Sequence, residues 1–110
     1  MTYTEVADMI KSMGLPFAYY QFPAGTGQEP PFICFYYLGD NDFVADNINY
    51  AKINRLVIEL YTDVIDFERE AVIENILSSN EMVYTREETE IDTEKMHMTV
   101  YSMEVLINGE

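Results

Sequence analysis

The stretch Lys52-Ile53-Asn54-Arg55-Leu56-Val57-Ile58-Glu59-Leu60-Tyr61 decides the fold of this chain. Read with a period of two, Leu56, Ile58 and Leu60 fall on one side. Ile53, Val57 and Tyr61 fall on the other, with Arg55 and Glu59 among them. Alternation in branched and aromatic residues predicts a β-strand, and this one is too apolar to have a face in water. It runs through Thr62-Asp63 into an amphipathic pattern beginning near Asp66. A long strand apolar on both sides belongs in mid-sheet, with helices on one face. What covers its second face is the functional question that the sequence poses.

Outward from that strand, the N-terminal side supplies a helix. Thr2-Tyr3-Thr4-Glu5 reads as a capping box, and Tyr3, Val6, Ala7, Ile10 and Met13 form one apolar stripe. Gly14 and Pro16 end it. Phe17 to Phe22 reads as a short aromatic strand, followed by a nine-residue loop from Pro23 to Pro31. A loop of that length in a small domain is often functional. Phe32 to Leu38 has strand character and is predicted to end in the turn cluster Gly39-Asp40-Asn41-Asp42. Phe43-Val44-Ala45 is a possible short strand before Asp46-Asn47 turns the chain.

On the C-terminal side, Asp66 to Ser79 predicts a helix with Asp66 as cap. Val72, Ile73, Ile76 and Leu77 face inward in this reading, and Glu68, Glu70 and Glu74 fall mostly outward. Val83 to Ile91 alternates, with Tyr84, Arg86, Glu88 and Glu90 on the wetter side. Met96 to Ile107 is apolar on both faces, its inner set Tyr101, Met103, Val105 and Ile107. The order α-β-β-(β)-β-α-β-β with short connections predicts an α+β two-layer sandwich, an antiparallel β-sheet with both helices packed on one face.

A length of 110 residues fits a single domain, 1–110, and an apolar content of 48 % makes it globular. Neither a signal-peptide pattern nor a run of membrane-spanning length occurs, so the chain is expected to stay where it is synthesised. The lone cysteine, Cys34, lies within an apolar run and reads as a buried small residue. Twenty acidic residues against six basic ones give a net charge of −14. That charge disfavours docking on a phosphate backbone or an anionic membrane. It suits solubility, a basic protein partner, or a wall that nucleic acid passes without sticking.

Catalytic constellations are sparse. His97 is the sole histidine, so a catalytic triad, a histidine pair or a Cys/His zinc set cannot be built from one chain. Gly25-Thr26-Gly27 starts like a dinucleotide fingerprint, but Pro30 stands at the third glycine and no helix pattern follows. Asp40 to Asp46 starts like a calcium loop, yet Val44 and Ala45 occupy positions that need a ligand and a glycine. The run Glu87 to Glu94 offers paired carboxylates without an apolar pocket to raise either pKa, and reads as a solvated hairpin. The chain is therefore expected to be no enzyme and to need no cofactor or metal. Its apolar second face, nine tyrosines and seven methionines predict self-association. The contact residues in this reading are Val57 and Tyr61 on the strand and Pro23, Gly25, Gly27 and Pro30 in the loop.

The segment Pro23 to Tyr37 with Pro-Pro-Phe-Ile, then Ala45-Asp46-Asn47 and Tyr50, and above all Ile58-Glu59-Leu60-Tyr61-Thr62-Asp63 leading into Asp66-Phe67-Glu68, carry a likeness to a known family. The chain resembles the small tail-terminator or head–tail joining proteins of long-tailed bacteriophages and prophages, grouped with minor capsid and tail-completion components. The resemblance spans most of the chain and implies a ring, commonly a hexamer, at the head–tail junction. It further implies tail-tube or connector partners and a place in the virion, reached from the host cytoplasm during assembly. It transfers no active-site residues. The alternative from composition is an acidic inhibitor, a DNA mimic seated in the basic groove of a nucleic-acid-binding protein.

Overall fold

A computed structural model of the chain describes residues 1–42 and 52–108. Two helices and five strands follow in the order α1 (Tyr3–Lys11), β1 (Phe17–Tyr19), β2 (Phe32–Asp42), β3 (Lys52–Thr62), α2 (Phe67–Ser79), β4 (Tyr84–Ile91) and β5 (Met96–Ile107). The strands form one sheet in the spatial order β1-β2-β3-β5-β4, an α+β architecture. β3 holds the centre, as its two apolar faces require, and pairs antiparallel with β2 and β5 along its whole length.

The core lies between one face of that sheet and the helices. Leu56, Ile58 and Leu60 are fully buried there beside Ile33, Phe35, Tyr101, Met103, Val105 and Ile107. α1 contributes Val6, Met9, Ile10 and Met13, and α2 contributes Ile73 and Leu77. The capping box forms as predicted: Glu5 N donates to Thr2 Oγ1 and Thr2 N to Glu5 Oε1. Gly14 takes φ +80°, the left-handed conformation that closes α1 without a Cβ penalty.

Four departures from the sequence reading have physical causes. First, β1 pairs parallel to β2, not antiparallel, with Phe17 opposite Ile33. The segment from Tyr20 to Pro31 returns the chain to the start of β2's pairing register, so the long loop acts as a crossover. Second, β1 stops at Tyr19 and Tyr20 adopts φ +70°, so the aromatic run to Phe22 leaves the sheet early. Third, Gly39 is no strand end. β2 continues to Asp42 past a register shift between Leu38 and Asp40, where Gly39 at φ +59° forms a bulge. Fourth, in α2 the buried stripe is Glu70, Ile73 and Leu77, while Val72 is exposed. Residues 70, 73 and 77 share one helix face, and a carboxylate can occupy it because partners wait beneath (below). The possible strand Phe43-Val44-Ala45, the turn at Asp46-Asn47 and Tyr50 lie outside the described residues.

Candidate interface and charged cluster

The second face of the sheet carries the even-numbered residues of β2 up to Leu38 and the odd-numbered residues of β3. Phe32, Cys34 and Tyr36 lie beside Val57, Glu59 and Tyr61, which lie beside Met98, Val100 and Ser102 of β5. Apart from Cys34 and Val57, these side chains are only part-buried, because neither helix reaches this side. Phe32 stacks on Tyr61 at 4.8 Å between centroids, and Phe22 meets Phe32 edge-on at 5.3 Å. Tyr20 lies 5.7 Å from Tyr36. The start of the crossover loop thus folds over one end of the face.

Glu59 sits in the middle of this aromatic surface. Tyr61 donates to its Oε1 at 2.9 Å and Tyr36 to its Oε2 at 3.3 Å. Both phenols are held above their ordinary pKa by burial first and by this carboxylate second. Burial, with Glu59 adding to it, also pushes the Cys34 thiol up to about 11. Cys34 should therefore react with a disulfide reagent at pH 8 about a hundredfold more slowly than an exposed thiol, and normally once the protein is denatured. Modification of the native protein at the rate of a free thiol would contradict this environment.

The predicted contact residues divide. Val57 and Tyr61 do lie together on the second face, but Val57 is only 3 % exposed, sealed between Tyr36 and Ser102 on the flanking strands. A charge at position 57 would consequently harm folding, where the sequence reading expected the main effect on self-association. Pro23, Gly25 and Gly27 are exposed in the crossover loop, and Pro30, partly buried, forms a cis peptide with Pro31. Leu38, 53 % exposed, and Leu106, 50 % exposed, extend the apolar surface and were not among the predicted contacts. Val64 and Ile65, in the link between β3 and α2, and Phe67, the first residue of α2, are also exposed. The signal for Val64 and Ile65 was an apolar pair between Asp63 and Asp66, outside any strand or helix face.

The other face holds a charged cluster that the sequence reading placed in solvent. Arg86, Glu88 and Glu90 of β4 point toward the helix layer, because β4 pairs with β5 in the register Arg86–Tyr101, Glu88–Thr99 and Glu90–His97. Glu70 of α2 comes down onto them with its side chain 4 % exposed. Arg86 Nε donates to Glu70 Oε1 at 3.1 Å, Arg86 Nη2 bonds the same oxygen, and Thr99 Oγ1 donates to Oε2 at 3.3 Å. Arg86 Nη2 also lies 3.0 Å from Glu88 Oε1, while Tyr101 donates to Glu74 Oε2 at 2.8 Å. Hydrogen bonding from Arg86 holds the Glu88 carboxyl below its ordinary range. His97, inside this network, was read as structural or interfacial rather than catalytic, and the geometry shows its neighbours to be carboxylates.

A cleft of about 500 Å³ beside α1 is lined by Tyr3, Ala7, Tyr19, Phe35, Tyr37, Gly39 and Asn54. Its polar groups are sparse: Asn54 Nδ2 donates to the Tyr3 hydroxyl at 3.3 Å. No described helix is long and apolar enough to cross a membrane. Searched against models of protein families and against curated proteins, the chain matches none.

Proposed function

We propose that the protein is a structural subunit of a long-tailed bacteriophage or prophage, a tail terminator or head–tail joining protein that works as a ring and catalyses no reaction. The observation that carries this reading is the second face of the sheet, an aromatic and aliphatic surface that neither described helix covers. Large apolar patches on soluble chains mark association surfaces. The edges of the sheet support a direction for it. β4 borders one edge with Glu87, Glu88 and Glu90, and charged edges resist strand addition. On the opposite edge β1 pairs only Ile33 to Phe35 of β2. Neighbours then meet at the second face and the β2 side, while the acidic remainder of the surface repels DNA passing through the ring.

The reading is tested by adding purified protein to phage tails that lack their terminal ring and scoring capped tails by electron microscopy. Caps should form, with little dependence on salt, since the contact is apolar and aromatic. Leu38→Glu should abolish capping while leaving the thermal transition within a few degrees, because Leu38 is exposed in the free subunit. Uncapped tails together with inhibition of basic DNA-binding enzymes, relieved by DNA and by salt, would overturn the assignment in favour of a DNA mimic.

A further inference from the structure

His97 is 3 % exposed, and its two ring nitrogens have different surroundings. Nδ1 is in hydrogen-bond contact with Glu90 Oε1. Nε2 is buried and has no hydrogen-bond partner among the described residues. It stands 3.3 Å from Glu88 Oε1, out of line for a hydrogen bond, and one carboxylate oxygen of Glu70 lies within 4.8 Å of both residues' ligand atoms. A carboxylate on Nδ1 favours the tautomer in which the proton sits on Nδ1 and Nε2 presents a lone pair. A buried lone pair facing carboxylates is unfavourable unless a cation lies between them. The same Glu–His pairing is the arrangement by which proteins orient imidazole ligands of metals.

We propose that His97 Nε2, Glu88 and Glu70 bind a divalent transition-metal ion of the zinc type, a site that goes beyond the structural role argued above. The donor set suits that ion, since one imidazole and two carboxylates make three ligands and leave a fourth position for water. Two ligands of a tetrahedral zinc about 2.0–2.1 Å from the metal stand about 3.3 Å apart. The His97–Glu88 separation already has that value, and a Glu70 oxygen, within 4.8 Å of both, would have to move inward to complete the set. Arg86 is the competing cation, bonded to one oxygen of Glu70 and one of Glu88. It leaves room in charge: Glu70, Glu74 and Glu88 pair with this single guanidinium, and Glu90 pairs with the His97 ring instead. Each carboxylate also has lone pairs beyond those that Arg86 engages. A bound ion would tie α2 to the β4–β5 hairpin.

The test titrates chelator-treated full-length protein with Zn²⁺ by calorimetry, alongside Glu88→Gln, Glu90→Gln and a control, Glu81→Gln, at an exposed carboxylate outside the cluster. The control is required because a chain of charge −14 collects divalent ions loosely over its whole surface. The site predicts one tight equivalent per chain and a raised melting temperature. Affinity should fall at least tenfold in Glu88→Gln and about 10–100-fold in Glu90→Gln, where only the orientation of the ring is lost. Glu81→Gln should bind as the parent does. Glu88 is exposed, its side chain 40 % accessible, so its glutamine variant keeps the fold and the comparison stands without a histidine variant. Equal zinc affinity in the parent and Glu88→Gln would overturn the proposal. So would the absence of a tight equivalent, with ring ¹⁵N spectra showing both His97 nitrogens protonated at neutral pH, since a proton would then be the cation in the cluster.

Discussion

Arg86→Ala should lower the unfolding free energy by about 3 kcal/mol, read from denaturant midpoints at neutral pH. Arg86 supplies the only described cation bonded to Glu70, whose side chain is 4 % exposed in the α2–sheet interface. Removing it leaves a buried carboxylate with one hydrogen bond, from Thr99. The figure sits at the low end for broken buried pairs because Arg86 itself remains 30 % exposed and water reaches its outer side. The double variant Glu70→Met with Arg86→Met should recover most of the loss, since burying methylene groups avoids the desolvation of both charges. A loss below about 0.5 kcal/mol in the single variant, typical of an exposed pair, would contradict this account of α2. The difference has a pH dependence of known sign. Arg86 holds the folded Glu88 carboxyl below its ordinary value of 4.5. That contribution is complete above 4.5 and is lost as pH falls through the lower folded value, so the part of the difference that Glu88 carries should disappear in acid and the gap should narrow.

Ile58→Ala should cost about 2–5 kcal/mol without changing the denaturant slope. Ile58 is fully buried at the centre of β3, between Phe35 on β2 and Tyr101 on β5. Truncation leaves a cavity bounded by two pleated strands and the helix layer, where collapse is limited by the ladders on both sides. The same substitution at Leu38, exposed on the opposite face, should change stability by less than about 1 kcal/mol. Equal effects at the two positions would mean that the faces of the sheet have been assigned the wrong way round.

Period-two and period-3.6 patterns carried the architecture because each element's inner face is apolar. β3 and β5, with Leu56, Ile58 and Leu60 facing Tyr101, Met103 and Val105, fell where their alternation placed them. The capping residues Thr2 and Asp66 marked both helix starts for the same local reason, a side-chain oxygen accepting from an early backbone N–H. What failed required partners far apart in sequence. Glu70 reads as surface until Arg86 and Thr99, sixteen and twenty-nine residues away, are brought beneath it. The parallel pairing of β1 depends on where the crossover loop returns, and composition does not encode that. Gly39 looked like a turn because its left-handed φ serves turns and bulges alike.

The charged cluster was half legible. Pairing β4 with β5 around a turn at Asp92 to Lys95 sets Glu90 opposite His97 by register alone. The hairpin was recognised, but its charged side was assigned to water because Arg86, Glu88 and Glu90 are hydrophilic. The parity of the strand contradicts that: Tyr84 packs against the core, and residues 86, 88 and 90 share its face. The uncovered second face was legible in kind, and its exposed positions less so. Val57 and Tyr61 lie on the face of β3 away from the helices, yet neighbouring strands seal Val57, while Leu38 and Leu106 stand exposed on that face. Burial in a sheet interior depends on cross-strand neighbours, which a single strand's pattern does not name.

In the function proposed above, the second face of the sheet joins copies of this chain. Light scattering on a size-exclusion column, run across a hundredfold range of loading concentration, measures it directly. The parent should rise from the 12.8 kDa of one chain to a defined multiple of it, and Leu38→Glu should stay at 12.8 kDa throughout. A parent that remains at 12.8 kDa at every concentration, indistinguishable from Leu38→Glu, would contradict the claim.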